Sequence, residues 1–569
     1  MPKEAHALLV SHPHAAMTLS VSSNPAETGS WSDTTADCAE NASDDFDDDE
    51  FVCGADIPAQ DDQSSEDERP SPPLADFNVS SDEDENAQAP LPSSKRKRRQ
   101  SLPAFSAKHM LRAMAAVMGA FGEAVEAPAD LLHDLPREQD VIENLTQPGT
   151  TTVSAAEVKK ATGREAEAWR VATEKEYVEN FVQRNVHRVA TEADRKRHGP
   201  PLPMKLVYTR KTWGVCKVRA VVCGNFEKFD PTQALWTAQA EPSSLIAGLR
   251  LGLLRGWDFG TLDVSGAFMY APLPETVHVL VQPPRAFVDA GLVKPGEVWV
   301  LQRAVYGLRV APRAWGKERD RVFRDLTWEA EGVKYCLEQC AEDSQVWKIV
   351  RKGDPTVLGV LIVYVDDFML GSPSGAMREA FKAALKQHWT MKDEVKLEEG
   401  VELTFLGLQL QRVAGGIKLH QGHFVDLLLE KHGMTEAKSL STVAMKRLPE
   451  VEDPPEPDAL RDLQAFAGEF NWLATRSRSD LSYFTSLLAS ALSKYGLWSL
   501  QLAKKILRYL KGTRDVGLFL PDVGDEATLV VWSDAGYAGI GTSKAQSGLF
   551  LMWAGPPLLW RSSRQTVPL

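Results

Sequence analysis

The sequence predicts an α+β chain of several domains behind a disordered, acidic N-terminus, and three observations carry that expectation. The chain has 569 residues, 43% of them hydrophobic, which is more than one core accommodates and enough to build several. Apolar residues recur at helical spacing in some stretches and alternate in others. Acidic residues are concentrated: between positions 31 and 90, twenty Asp and Glu stand against a single basic residue, Arg69.

That concentration explains the net charge of −14 and leaves the remainder near balance, so local basic patches decide what it binds. Residues 1 to 105 read as disordered. The Ser43–Glu50 and Ser80–Glu85 runs and the many Pro and Ser residues cannot bury enough apolar surface to offset chain entropy. The cluster Lys95–Arg99 reads as a nuclear localisation signal, a phosphate-contacting patch or a solvated linker run. A short helix is predicted over 109–125 and a Pro-containing linker over 127–150. No apolar run approaches the roughly 18 residues of a membrane helix, and no secretory leader follows Lys3, Glu4 and His6, so an intracellular, soluble protein is expected. The six cysteines (38, 53, 216, 223, 336 and 340) suggest neither a disulfide framework nor a zinc module. Cys336 and Cys340 stand at helical spacing and read as ordinary reduced thiols.

The main body opens with a helix over 155–182, where Trp169, Tyr177 and Phe181 share a face. Residues 204–210 and 215–223 alternate as half-buried strands, 243–256 return to a helix, and 261–264 are extended. The apolar run Gly359–Gly371, interrupted by Asp366 and Asp367, suits a β-hairpin with carboxylates at its tip. Helices are predicted over 375–388, 423–432, 459–475 and 483–511, and strands over 527–532 and 548–553.

Two adjacent carboxylates among Val, Ile and Leu repel each other, and the simplest compensator is a divalent cation. Oxygen-only ligands favour Mg²⁺, with Mn²⁺ also admissible. Asp263, in Gly260–Phe268, ends an extended segment and is followed by small residues that leave room for a substrate. Two metal ions about 3.5–4 Å apart, shared by such acids, would activate a hydroxyl and stabilise a pyrophosphate leaving group. An isolated Asp-Asp pair also fits a solvated hairpin turn. Tyr364-Val-Asp-Asp367 with a matching Leu-Asp-Val upstream is the more specific pattern.

From about 165 to 569 the order and flanks of these motifs resemble the copia-type reverse transcriptases of LTR retrotransposons. The resemblance runs through Glu167-Ala-Trp169, Lys217–Gly224, Leu262–Phe268, Ala304–Trp315, Tyr364–Asp367 and Phe405–Gln409. It implies a right-hand polymerase, with fingers and palm over 151–435, thumb or connection helices over 436–525 and a partial ribonuclease H-like α/β domain over 526–569; residues 1–150 form the N-terminal segment and linker. It implies metal-binding roles for Asp263, Asp366 and Asp367, and places Lys217 and Arg219 toward the incoming triphosphate. Phe268 would lie under the sugar and exclude a 2′-hydroxyl, although a plain core aromatic is the other reading. Gly307 to Pro312 would form the loop beneath the template base, with Val310 where the family usually has Gln.

Leu507–Thr513, Val531–Gly539, Ser547-Gly and Trp560–Gln565 are similar to the ribonuclease H part of the same polyproteins, with Asp534 at the first metal-binding acid. The family's second acid is Gly536 here, and the sequence stops at Leu569, before the segment with the next ligand. One acid cannot hold two Mg²⁺ ions, so the resemblance implies an inactive ribonuclease H unit. The implied activity is RNA-directed DNA polymerisation with two Mg²⁺ ions, dNTPs and an RNA or DNA template and primer, in a cytoplasmic particle or the nucleus. The alternative is an inactive element relic or a host-adopted nucleic-acid-binding module. Oligomeric state is not implied either way.

Overall fold

The apolar run around Asp366 and Asp367 forms the middle of a seven-stranded antiparallel sheet. The computed structural model describes residues 17–18, 150–211, 215–227, 235, 237–444, 448–450, 452–536 and 545–565, which fall in one unit by their contacts. The acidic segment, the Lys95–Arg99 cluster, the helix expected over 109–125 and the linker lie outside the described residues. The exceptions are a two-residue strand at Met17–Thr18 and the linker's last residue, which opens the strand Thr150–Val153.

The helix expected over 155–182 is three pieces: Ala155–Lys160, α1 (Gly163–Lys175) and a π-helical segment, Glu176–Val182. Ala161 and Thr162 are extended and Gly163 takes a φ of +59°, which breaks the first two apart. Trp169 of α1 packs on Tyr208 of β1 (Leu202–Lys211) and Val218 of β2 (Cys216–Val222). β1 and β2 pair antiparallel, and β1 also joins Thr150–Val153 and, in parallel, Leu280–Gln282.

α2 (Pro242–Leu254) opens on a proline, whose missing N–H is no loss in the first turn. It leads into β3 (Asp258–Asp263), and α3 (Ala311–Asp325) begins within the Ala304–Trp315 motif. The large sheet then fills with β4 (Thr327–Ala330), β5 (Val333–Gln339), β6 (Val346–Arg351), β7 (Asp354–Tyr364) and β8 (Asp367–Ser372). After α4 (Ala376–Lys386), the two-residue strand β9 (Val395–Lys396) closes it in the order β9-β3-β8-β7-β6-β5-β4. Cys336 sits on β5, so its helix-like spacing to Cys340 is coincidental; both, with Cys216 and Cys223, are free thiols.

A second sheet joins β10 (Glu402–Phe405), β11 (Leu408–Val413) and β12 (Gly416–His420) to β13 (Leu518–Pro521). Between them run α5 (Gly422–Lys431), α6 (Pro457–Ala474), α7 (Ser482–Ala491) and α8 (Gly496–Gly512) around their own apolar core. The single helix expected over 483–511 is therefore two. Gly496 lies against Pro455, where a Cβ would come within 2.9 Å of the proline, and apolar spacing of the same period on both sides conceals the break. The chain ends in a meander, β14 (Leu529–Gly536), β15 (Gln546–Trp553) and β16 (Pro557–Arg564), with Met17–Thr18 on its outer edge. Buried Arg250 of α2 fastens it by donating to the carbonyls of Val523 at 2.8 Å and Ala554 at 2.5 Å.

Candidate active site

Strand register brings the motif acids together. At the tip of the β7–β8 hairpin Tyr364 pairs with Asp367, and Asp367 is in turn the cross-strand partner of Asp263 on β3. Paired residues point to the same face with Cβ atoms about 5 Å apart, so two carboxylates project side by side. Asp366 lies in the turn, its carbonyl accepting the Val264 N–H at 3.1 Å.

The turn is strained. Val365 has a φ of +54°, an outlier for a β-branched residue that costs about 1–3 kcal/mol. Its carbonyl is held by the indole Nε1 of Trp315, which donates at 2.7 Å. Trp315 is 1% exposed and packs on Trp389 with ring centres 5.1 Å apart. The Ala304–Trp315 and Tyr364–Asp367 motifs, far apart in sequence, thus meet in one hydrogen bond.

A cavity of about 470 Å³ opens in front of the tip, and Lys217, Arg219, Asp263, Asp366, Tyr306 and Lys392 are among its lining residues. Alternation along β2 buries Val218, Ala220 and Val222 and turns Lys217 and Arg219 to the other face. The Arg219 guanidinium lies 5.5 Å from the centre of the Tyr306 ring, and Tyr306 meets Phe268 edge-on at 5.0 Å. Lys392 Nζ is 2.7 Å from Asp263 Oδ2, with both side chains partly exposed. Behind the wall the backbones of two loops touch. A Cβ on Gly307, whose φ is +88°, would come 2.0 Å from the Val222 carbonyl oxygen, and one on Gly224 would come 2.0 Å from the Gly307 oxygen.

Of the residues singled out from sequence, Lys217, Arg219, Asp263 and Asp366 line one cavity, with Asp367 paired beside Asp263. Phe268 sits one ring back, half-buried against the core, and Gly307 braces β2. Asp534 is elsewhere, on β14 beside a separate cavity of about 280 Å³, its carboxylate accepting the Ala535 N–H at 2.8 Å. Among the described residues no three Asp, Glu, His or Cys side chains form a ready-made metal-binding group.

Sequence reasoning missed Trp315, Lys392 and the wall formed by Glu176, Asn180 and Arg184. Glu176 and Asn180 stand four residues apart on a helix whose apolar side carries Tyr177 and Phe181, with Arg184 four further on just past its end, a polar spacing that was open to detection. Arg184 donates to the Gly266 carbonyl at 2.7 Å and lies 4.3 Å from the Tyr270 ring centre.

Residues 185–446 match the family described as reverse transcriptase (RNA-dependent DNA polymerase). The Pol polyprotein of transposon RE1 from Arabidopsis thaliana is 28% identical over 319 residues, 55% of this chain and 20% of that one. That of transposon TNT 1-94 from Nicotiana tabacum is 25% identical over 384 residues, 64% of this chain and 27% of that one. Residues 185–446 are thus similar to reverse transcriptases, and the curated relatives are Pol polyproteins of transposons.

The putative transposon Ty5-1 protein of Saccharomyces cerevisiae is 26% identical over 307 residues, 53% of this chain and 92% of its own length. The chain spans about one fifth of the RE1 and RE2 polyproteins. The foamy viral protease-reverse transcriptase in complex with double-stranded DNA aligns over 70% of this chain and 56% of its own, with a TM-score of 0.39 and 16% identity. That overlap is too loose to bear on the fold, and the likeness to reverse transcriptases rests on the sequence matches. The reverse transcriptase match contains Lys217, Arg219, Asp263, Phe268, Gly307, Asp366, Asp367 and Lys392, while Glu176 and Asp534 lie outside it.

Proposed function

We propose that the chain is an RNA-directed DNA polymerase that adds deoxynucleotides to a primer 3′-hydroxyl on an RNA or DNA template. The observation that carries this reading is the pairing of Asp263 with Asp367, with Asp366 at the adjoining turn and Lys217 and Arg219 lining the same cavity. An acidic ledge facing a basic wall suits a substrate whose reacting hydroxyl approaches cations and whose leaving group is a polyanion.

Asp263, Asp366 and Asp367 offer only oxygen donors, the set that suits Mg²⁺, an ion that takes few protein ligands and completes its shell with water and substrate phosphates. When bound, two such ions supply Lewis acidity at the attacking and leaving oxygens. Lys217 and Arg219 bind the triphosphate and offset the charge gathering on pyrophosphate. Phe268, reached through Tyr306, limits the space beside the sugar and selects deoxynucleotides. Lys392 neutralises Asp263 until cation and substrate arrive. On this reading 151–435 are fingers and palm, 436–525 thumb or connection, and 526–569 part of a ribonuclease H-like unit.

Primer extension on poly-rA/oligo-dT with Mg²⁺ tests the proposal against Asp366→Asn/Asp367→Asn. Extension lost in the variant with template binding kept supports it. A folded wild type that binds template and extends nothing overturns it in favour of a nucleic-acid-binding module or element relic.

A further inference from the structure

Strand β2 carries Lys217 and Arg219 and, among the described residues, has a sheet partner on one edge, β1. Its other edge presents the N–H groups of alternate residues. That of Val222 donates to the Tyr306 carbonyl at 2.8 Å, as a neighbouring strand would arrange. That of Ala220 donates at 2.8 Å to a side chain, the Oε1 of Glu176. Glu176 is 5% exposed, and its second oxygen accepts from Asn180 Nδ2 at 2.6 Å.

A carboxylate in that position is expensive, because burial disfavours its charge, and a neutral acceptor would hold one amide as well. Burial does push its carboxyl above the usual range, against the opposing pull of the Ala220 N–H, Asn180, Arg219 and Lys217. The local backbone is also unusual. Glu176 opens the π-helical segment Glu176–Val182, and such insertions commonly mark functional sites. The segment turns Tyr177 and Phe181 toward Trp299 and Phe287 and lines the cavity with Glu176, Glu179 and Asn180, while Arg184 just beyond it grips the Gly266 carbonyl. One short segment therefore binds both walls, β2 on the basic side and the loop after Asp263 on the acidic side.

We propose that Glu176 is a positioning residue for nucleotide binding: its carboxylate substitutes for a strand on the free edge of β2 and sets the placement of Lys217 and Arg219 over the cavity. The proposal rests on the polymerase reading for its substrate, a deoxynucleoside triphosphate, and on geometry alone for the clamp.

The test compares Glu176→Ala and Glu176→Gln in the full chain by steady-state primer extension and by amide hydrogen exchange over 216–222. Glutamine keeps an acceptor for the Ala220 N–H, so E176Q holds the nucleotide KM within about threefold of wild type. E176A raises it about tenfold or more with kcat and primer-template affinity little changed, the signature of lost binding common to ground and transition states. Exchange over 216–222 speeds up in E176A and stays slow in E176Q. In an Arg219→Ala background E176A adds less than it does in wild type, because part of its effect passes through that side chain. Unchanged exchange in E176A, equal damage from both variants, or full additivity with Arg219→Ala would each overturn the role. If wild type extends nothing while E176A still accelerates exchange, the polymerase reading fails and the clamp on β2 stands.

Discussion

Strands β3 and β8 lie side by side from Asp258 opposite Ser372 at one end to Asp263 opposite Asp367 at the other, and the two ends treat charge in opposite ways. Beside the Asp258 end, where Asp258 itself is exposed, a neighbouring ion pair is sealed in. Arg378 and Glu394 have side chains only 2% and 4% exposed and are ion-paired. Arg378 also donates to the Asp258 carbonyl at 3.1 Å and to Ser372 Oγ at 3.0 Å, while Lys382 Nζ reaches Glu394 at 2.9 Å. Burial alone would raise the Glu394 carboxyl, but Arg378 and Lys382 hold it below the usual range. At the Asp263 end the acids border an open cavity, and the lysine on Asp263 is itself half-exposed. Charge satisfied wholly by the protein is architecture; charge left where ions and substrates exchange is available for chemistry.

The largest expected effect breaks the open end. Asp366→Asn/Asp367→Asn should lower primer extension by on the order of 10³-fold or more, since the residues that would hold the metal act as a unit. Its melting temperature should hold or rise, because neighbouring like charges are removed. A marked fall would mean that these carboxylates are structural and would erase the contrast. At the sealed end, Arg378→Met should cost about 3–5 kcal/mol in urea unfolding by stranding Glu394, and Arg378→Met/Glu394→Met should recover much of that loss. A double variant no better than the single one would assign the effect to packing.

A smaller effect joins the two kinds of region. Trp315→Phe removes one neutral hydrogen bond and leaves the Val365 carbonyl without its indole partner, for about 1–3 kcal/mol. Extension should drop about tenfold or more as the tip relaxes, with template affinity unchanged. Equal activity in the two proteins would show that the strained turn holds its shape unaided.

The smallest effect concerns a titratable group away from both ends. His187 stacks on Trp299 with ring centres 3.8 Å apart, and burial lowers its pKa to about 4 from an ordinary 6.5. Because the folded value lies below the unfolded one, its contribution is fully present above about 6.5 and is lost as pH falls toward 4. Thermal melts over that window should fall more steeply for wild type than for His187→Phe. Parallel curves would place the acid sensitivity in other groups.

What was legible in the sequence follows from distance along the chain. The hairpin was readable because Asp366 and Asp367 interrupt an apolar run, and α2 and α5 because their periodicity is local. Lys217 and Arg219 could be placed by alternation on β2. Lys392 could not, since its partner Asp263 is 129 positions away, and the Ala220–Glu176 bond spans 44. Strands such as β5, where buried and half-exposed residues mix polar with apolar, carry little signal of their own and take shape from their neighbours. The breaks in the two long helices were hidden because a kink or a restart leaves the apolar period nearly intact on either side.

The two-residue turn between Tyr364 and Asp367 also fixes which kinds of genetic change this hairpin can absorb. Side chains alternate along β8, so a one-residue slip of the strand would send Asp367 to the far face and exchange Phe368 and Met369 between the two cores that the sheet separates. Point substitutions at the tip can remove the chemistry and keep the fold. Single-codon insertions and deletions remove both at once, so a lineage of such chains should vary here in composition and almost never in length.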